Sequence, residues 1–137
     1  MTRSVAAWCA GLVLTAAVAV SAHHSSAGID QTKSVTLNGT VKEFRWGNPH
    51  AWIDLDVANA KGGVDTWSLE MTAPSFLLRA GWKASTLKTG DKVSVVARPM
   101  RDGSPGGLFV SVTLPDGRTL TQRAAPPAGA PTPPPAP

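Results

Sequence analysis

The chain is poor in the residues that carry most enzymatic chemistry. Its 137 residues hold one cysteine and three histidines. Cys9 lies in the apolar opening stretch, so a chain that loses this stretch has neither a disulfide nor a thiolate metal ligand. There is no glycine-rich phosphate loop and no haem-attachment motif. Ser25, Ser26 and Ser68 stand in no nucleophile context. Asp54 and Asp56 are two residues apart, but exposed carboxylate pairs on strands are common. The chain therefore reads as non-enzymatic. It also lacks any run of basic residues. Thirteen Lys and Arg face nine Asp and Glu, scattered from Lys33 to Arg123 outside the opening stretch. A nucleic-acid footprint is clustered, so no nucleic-acid partner is expected.

What is present begins with an export signal. Arg3 supplies a short positive region, and Val5 to Val20 is almost wholly apolar and uncharged. Val20-Ser21-Ala22 fits the small-x-Ala cleavage pattern. The apolar run falls short of the ~20 residues of a spanning helix, so no stable membrane insertion is expected after cleavage. Trp8 is too bulky to precede a lipidated cysteine. Residues 1–22 are thus read as a signal peptide, with a periplasmic or secreted destination and His23 as the first mature residue. Arg3 is the only charge in the signal, so its removal lowers the net charge of +4 by one. The result is a mildly basic surface.

Residues 23–33 are polar and read as an extended lead-in. The domain proper, residues 34–122, opens with a strand from Ser34 to Trp46. Val35, Leu37, Gly39 and Val41 alternate with polar neighbours, then the phase shifts to Phe44 and Trp46. A phase change inside a long strand predicts a bulge or bend, with Gly39 assisting, and a bent strand can serve two sheets at a barrel corner. Trp46-Gly47-Asn48-Pro49 is a turn. His50 to Ala58 is the second strand, with Ala51, Ile53, Leu55 and Val57 inward and His50, Trp52, Asp54 and Asp56 outward. Asp65 to Met71 is the third. One register satisfies both faces of this hairpin: Leu55 opposite Trp67, Ile53 opposite Leu69, Ala51 opposite Met71, Trp52 opposite Glu70 and Asp54 opposite Ser68.

Thr72 to Gly81 reads as a short helix. Thr72 is the expected N-cap, Pro74 sits in the first turn, and Gly81 follows the end. Phe76, Leu77 and Ala80 form its apolar stripe. Ser85 to Lys88 is expected to add a helical turn. Lys92 to Met100 and Gly107 to Leu114 are the fourth and fifth strands, and Thr119 to Gln122 a short return strand. Residues 123–137, nearly all Ala, Pro and Gly, are expected to be a disordered tail of polyproline character. Three strands, a short helix and two strands are the order of a small five-stranded OB-like β-barrel, an all-β fold with one short helix.

The chain resembles a family of small exported bacterial proteins known only as a domain of unknown function. The residues that carry the resemblance are Ala22-His23-His24-Ser25-Ser26, Val35 to Val41, Trp46-Gly47-Asn48-Pro49-His50-Ala51-Trp52, Trp67-Ser68-Leu69-Glu70, Leu77 to Trp82, Leu87 to Asp91 and Ser111 to Arg118. The resemblance implies export and a small β-fold. It implies no activity.

Two chemistries are open to the candidate residues. The first is copper. An amino-terminal histidine offers its amine and its ring, and a second ring completes a T-shaped site of three nitrogens, the histidine brace. Nitrogen ligands suit Cu(II), which tops the divalent affinity order. The set is His23, His24 and His50, with Glu70 as an axial or supporting group and Met71 or Met100 as a softer ligand. The brace needs the lead-in to run back along the barrel, because a straight first strand of thirteen residues would span ~40 Å. The second is a binding face. OB barrels bind ligands across strands two and three, and here that face carries Trp52, Asp54 and Glu70, with Trp46 and Asn48 at the adjoining turn. Its acidity disfavours phosphate and suits a sugar, a peptide, a protein partner or a cation. Trp46, Trp67 and Trp82 read as core.

Overall fold

A computed structural model describes residues 26–123. The signal segment, His23, His24 and residues 124–137 lie outside the described residues.

β1 (Val35–Arg45), β2 (Trp52–Ala58) and β3 (Val64–Glu70) come first. α1 (Pro74–Arg79) follows, then β4 (Lys92–Pro99), β5 (Gly106–Thr113) and β6 (Thr119–Thr121). The strands form one sheet in the order β3-β2-β1-β4-β5-β6, and a parallel pairing of β3 with β5 closes the first five into a barrel. This is the OB-like barrel expected from the order of elements.

The closure depends on β1. Its first half, Val35 to Thr40, pairs with β4, and its second half, Gly39 to Arg45, pairs with β2. Between them the β2 register jumps from Val41 to Glu43, so Lys42 is a bulged residue. The turn before β4 holds the bend: Val41 N–H donates to the Asp91 carbonyl at 2.8 Å and Gly90 N–H to the Val41 carbonyl at 2.8 Å. The bulge flips the side-chain phase. Leu37 and Val41 point inward before it, and Phe44 and Trp46 pack against the core after it. Gly39 sits where β2 comes closest. A Cβ there would lie 2.5 Å from the Asp56 carbonyl oxygen and 2.9 Å from Leu55 Cγ.

The β2–β3 hairpin has the predicted register, from Trp52 opposite Glu70 to Leu55 opposite Trp67. Met71 N–H donates to the Ala51 carbonyl at 2.9 Å, which extends the pairing to the fifth predicted couple. Ala51, Ile53, Leu55, Leu69 and Met71 are buried, and Val57 and Trp67 pack against the core from its edge. Trp82 is 1% exposed, stands edge-on to Phe109 at 5.6 Å, and donates its indole N–H to the Thr121 carbonyl at 2.8 Å.

Three local expectations are corrected. The N-cap of α1 is Ala73, not Thr72, and it caps with no side-chain hydrogen bond. Pro74 forces the residue before it into extended geometry, so Ala73 takes the cap and Thr72 N–H bonds the Gln122 side chain instead. Phe76 is 55% exposed rather than part of an inward stripe, because Pro74 and Leu77 take the inward face and Phe76 stands about 100° from Leu77. Residues 83–88 form a tight turn, with Thr86 N–H on the Lys83 carbonyl and Lys83 N–H on Thr86 Oγ1, and no helix. β5 carries a second bulge: Val96 pairs with Ser111 but Ala97 with Phe109, which turns both Phe109 and Val112 inward.

The described part of the lead-in is not a free extended strand. Ser26–Gly28 form a single 3-10 turn. Ile29 bridges Met100, Asp30 N–H donates to the Pro99 carbonyl at 2.8 Å, and Arg101 N–H donates to the Gly28 carbonyl at 2.8 Å. Arg101 Nε reaches the Ile29 carbonyl at 3.0 Å, and Arg98 donates to the Gln31 carbonyl.

Gly39→Ala is expected to cost about 1–3 kcal/mol through overpacking against β2. Gly47→Ala, where a Cβ meets nothing within 4 Å, should change stability by less than about 0.5 kcal/mol. Urea denaturation of the two variants checks the contrast. Equal losses would mean that Gly39 is not a close-approach glycine.

Candidate functional site

The outer face of β1, β2 and β3 is built in rungs. Each rung takes an aspartate from β2, a hydroxyl from β3 and a cation from β1. In the first, Asp54 Oδ1 accepts from Ser68 Oγ at 2.7 Å and from Arg45 Nη2 at 2.9 Å, and Arg45 Nη2 also reaches Ser68 Oγ at 3.1 Å. In the second, Asp56 Oδ1 accepts from Thr66 Oγ1 at 2.6 Å, and Lys42 Nζ donates to Thr66 Oγ1 at 3.3 Å. The cations are set by the bulge, which leaves Lys42 out of the ladder and puts Arg45 opposite Trp52. The Arg45 guanidinium lies over the Trp52 ring, 5.3 Å from its centroid. Asp54 and Asp56 are therefore not a free acidic pair. Asp54 holds a cation and a hydroxyl, and Asp56 a hydroxyl that Lys42 bonds in turn.

The third rung differs. Glu70 stands on β3 opposite Trp52, and its carboxylate Oε1 is bonded to Nδ1 of His50, in the turn just before β2. The His50 side chain is 40% exposed and that of Glu70 20% exposed. Among the described residues no β1 cation joins this pair. Glu70 has a histidine, and no lysine or arginine, as its partner. The pairing also fixes the ring. A carboxylate can only accept from Nδ1–H, so the neutral ring keeps its lone pair on Nε2. A histidine held by a carboxylate at one nitrogen is an oriented ligand at the other.

The other candidates fall elsewhere. Met71 is 1% exposed in the core, so it is not available as a soft ligand; its inward phase on the hairpin decides this. Met100 is half-buried at the end of β4, with Cε 3.0 Å from where a Gly28 Cβ would lie. Trp46 is half-buried and packs edge-on against Phe44 at 5.6 Å. Asn48 is exposed in the turn, in a cis peptide with Pro49. Among the described residues no group of three or more His, Cys, Asp or Glu gathers as a ready metal cage. An open recess of ≈ 390 Å³ lies along the β1–β4 seam, lined by Asn38, Gly39, Thr40, Lys92 and Val93. None of the candidate residues lines it. The carboxylates with lowered pKa also sit elsewhere, in turns. Hydrogen bonds from Thr32, Ser104 and Arg118 hold Asp30, Asp102 and Asp116 below the usual range.

Sequence reasoning missed Lys42, Arg45 and Thr66. Thr66 was findable, since the predicted hairpin register carries it opposite Asp56. The two cations required the position of the bulge.

Residues 10–110 match the model of a family described as Family of unknown function (DUF6152). The chain belongs to that family. Among solved structures, this DUF6152 member is similar to the mitochondrial single-stranded DNA binding protein Rim1 from S. cerevisiae (Form2). The two are 13% identical with a TM-score of 0.44, and the match covers 61% of this chain and 94% of that one. No curated protein matches the chain. No helix among the described residues is long and apolar enough to cross a membrane.

The Arg45–Trp52 stack is expected to couple the two side chains by about 0.5–1 kcal/mol, the size of an exposed cation–π contact. A double-mutant cycle of Arg45→Met and Trp52→Leu in urea measures it. A coupling near zero would mean that the guanidinium does not rest on the ring in solution.

Proposed function

We propose that this chain is an exported, non-enzymatic binding module of the cell envelope, periplasmic or secreted, that holds a divalent cation, copper(II) first, at His50. The observation that carries the reading is the third rung. Glu70 fixes the half-exposed His50 ring through Nδ1 and leaves Nε2 as a nitrogen ligand beside a carboxylate that no lysine or arginine contacts. Imidazole nitrogen ranks Cu(II) above Zn(II) and the lighter divalent ions. In the neighbouring rung Asp54 already has Arg45 as its ion-pair partner.

A second reading has its own support. Arg45 set over the Trp52 ring puts a cation and an aromatic surface side by side on the outer face, which suits a ligand such as a sugar, a peptide or a protein partner. In this reading Trp52, Asp54 and Glu70 are the contact residues, and the bound ligand must take the place of Arg45 on the ring or stack upon it. Nucleic acid is disfavoured, because Asp54, Asp56 and Glu70 line the face.

Calorimetric titration of Cu(II) and Zn(II) into the mature protein tests the metal reading. Cu(II) should bind more tightly than Zn(II), and His50→Ala should abolish the tight site while Trp52→Ala retains it. If His50→Ala binds copper as the parent does, the metal reading fails and the Trp52 face becomes the site to pursue.

A further inference from the structure

We propose that the outward side of α1, with the turn that follows it, docks on an anionic phospholipid surface. Phe76 and Leu78 enter the lipid, and Arg79 and Lys83 meet the phosphates. The proposal goes beyond the binding reading above and depends on neither His50 nor a metal. It concerns attachment to a membrane surface and not a crossing, since no helix among the described residues is long and apolar enough to span.

Among the described residues three large hydrophobic side chains stand exposed: Val64 at 62%, Phe76 at 55% and Leu78 at 59%. Two of them share one six-residue helix. α1 turns Pro74 and Leu77 into the protein, and successive residues advance about 100° around a helix. Phe76 and Leu78 therefore flank Leu77, and Arg79 falls between them on the outward side. Its guanidinium lies 5.6 Å from the centroid of the Phe76 ring. The outward side thus sets a cation between two apolar groups. The chain then folds back on the helix end, with Gly81 N–H on the Leu78 carbonyl at 3.1 Å and Trp82 N–H on the Leu77 carbonyl at 3.0 Å. Trp82 is buried, so the exposed Lys83 leaves directly from that end.

Charge decides what covers this surface. From Met71 to Gly90 the chain carries Arg79, Lys83 and Lys88 and no aspartate or glutamate. All three cations are exposed, and none forms an ion pair with a described carboxylate. The carboxylates that bound the stretch are engaged elsewhere, Glu70 by His50 and Asp91 Oδ2 by the Lys88 N–H at 2.9 Å. Unpaired cations around exposed apolar groups fit a partner that offers negative charge above a hydrophobic layer, which is the order of groups in an anionic bilayer. A neutral protein surface would leave the cations without partners. Val64 is the contrast. It is the most exposed of the three, but it stands on β3 beside Asp65, an anion that lipid phosphate repels.

The test sediments the mature protein with vesicles of phosphatidylcholine mixed with phosphatidylglycerol, and with vesicles of phosphatidylcholine alone. The mixed vesicles should carry the protein down and the neutral ones should leave it in solution. Raising the salt from about 0.1 M to about 1 M cuts the screening length from about 10 Å to about 3 Å and should release it. Arg79→Gln combined with Lys83→Gln should weaken binding about 25-fold, about fivefold for each cation. Phe76→Ser combined with Leu78→Ser should weaken it at least about tenfold through the lost apolar burial, and Val64→Ser should bind as the parent. Circular dichroism checks that the variants fold; should the serine pair unfold, the glutamine pair decides alone. Equal sedimentation with both kinds of vesicle, or with neither, overturns the proposal, and so does parent-like binding by a folded serine pair or by the glutamine pair. Self-association in analytical ultracentrifugation that the serine pair loses, with no vesicle binding, would give the surface to a second copy of the chain and overturn the lipid. None of these substitutions touches His50 or Glu70, so failure here leaves the metal titration standing, and the reverse.

Discussion

The bend in β1 is the constraint on which the rest of the molecule depends. One strand has to pair with β4 through its first half and β2 through its second, and a flat ribbon cannot do both in a small barrel. Gly39 removes the Cβ that would strike the Asp56 carbonyl, and the bulge at Lys42 absorbs the turn. The same bulge has a second effect on the far side of the sheet. It sends Phe44 and Trp46 to the aromatic cluster with Trp82 and Phe109, and it places Arg45 on Asp54 of β2 and Lys42 on Thr66 of β3. Packing and surface chemistry are set by one irregularity.

The outer face shows what an ordered set of polar contacts can do without burial. Individual exposed ion pairs contribute little to stability, typically below about 1 kcal/mol. Their value here is positional. Two rungs tie down Asp54 and Asp56 by hydrogen bonds and set Arg45 over Trp52, so the face has a defined shape before any ligand arrives. The third rung breaks the rule by pairing Glu70 with a histidine rather than a lysine or arginine. That difference singles out one end of the face.

Much of this was legible in the sequence, for identifiable reasons. The β2–β3 register could be read because both faces of the hairpin carry a pattern, and a slip of one residue would bury Asp54 and expose Leu55. The β1 irregularity showed as a phase change, though not which residue bulges. The bulge in β5 left no such mark: Leu108, Phe109 and Val110 are all apolar, so the alternation has no phase to lose. The helix cap was misplaced by one residue because a threonine outweighed the backbone preference that Pro74 imposes on Ala73. Of the candidate site, the His50, Trp52 and Glu70 grouping followed from the register. The partners Lys42 and Arg45 could not, since their placement depends on where the extra residue sits.

Barrel closure also bears on how the protein keeps to itself. After β3 pairs with β5, the sheet ends in β6, three residues of Thr-Leu-Thr, and in the unpaired first half of β3. An open sheet edge is a template for another chain. Here one edge is too short to seed a ribbon. The other opens on Val64, whose neighbour Asp65 accepts a hydrogen bond from Asn59 of the preceding turn at 2.9 Å. A charge fixed at that position makes edge-to-edge stacking of copies unfavourable, so the fold carries its own guard against aggregation.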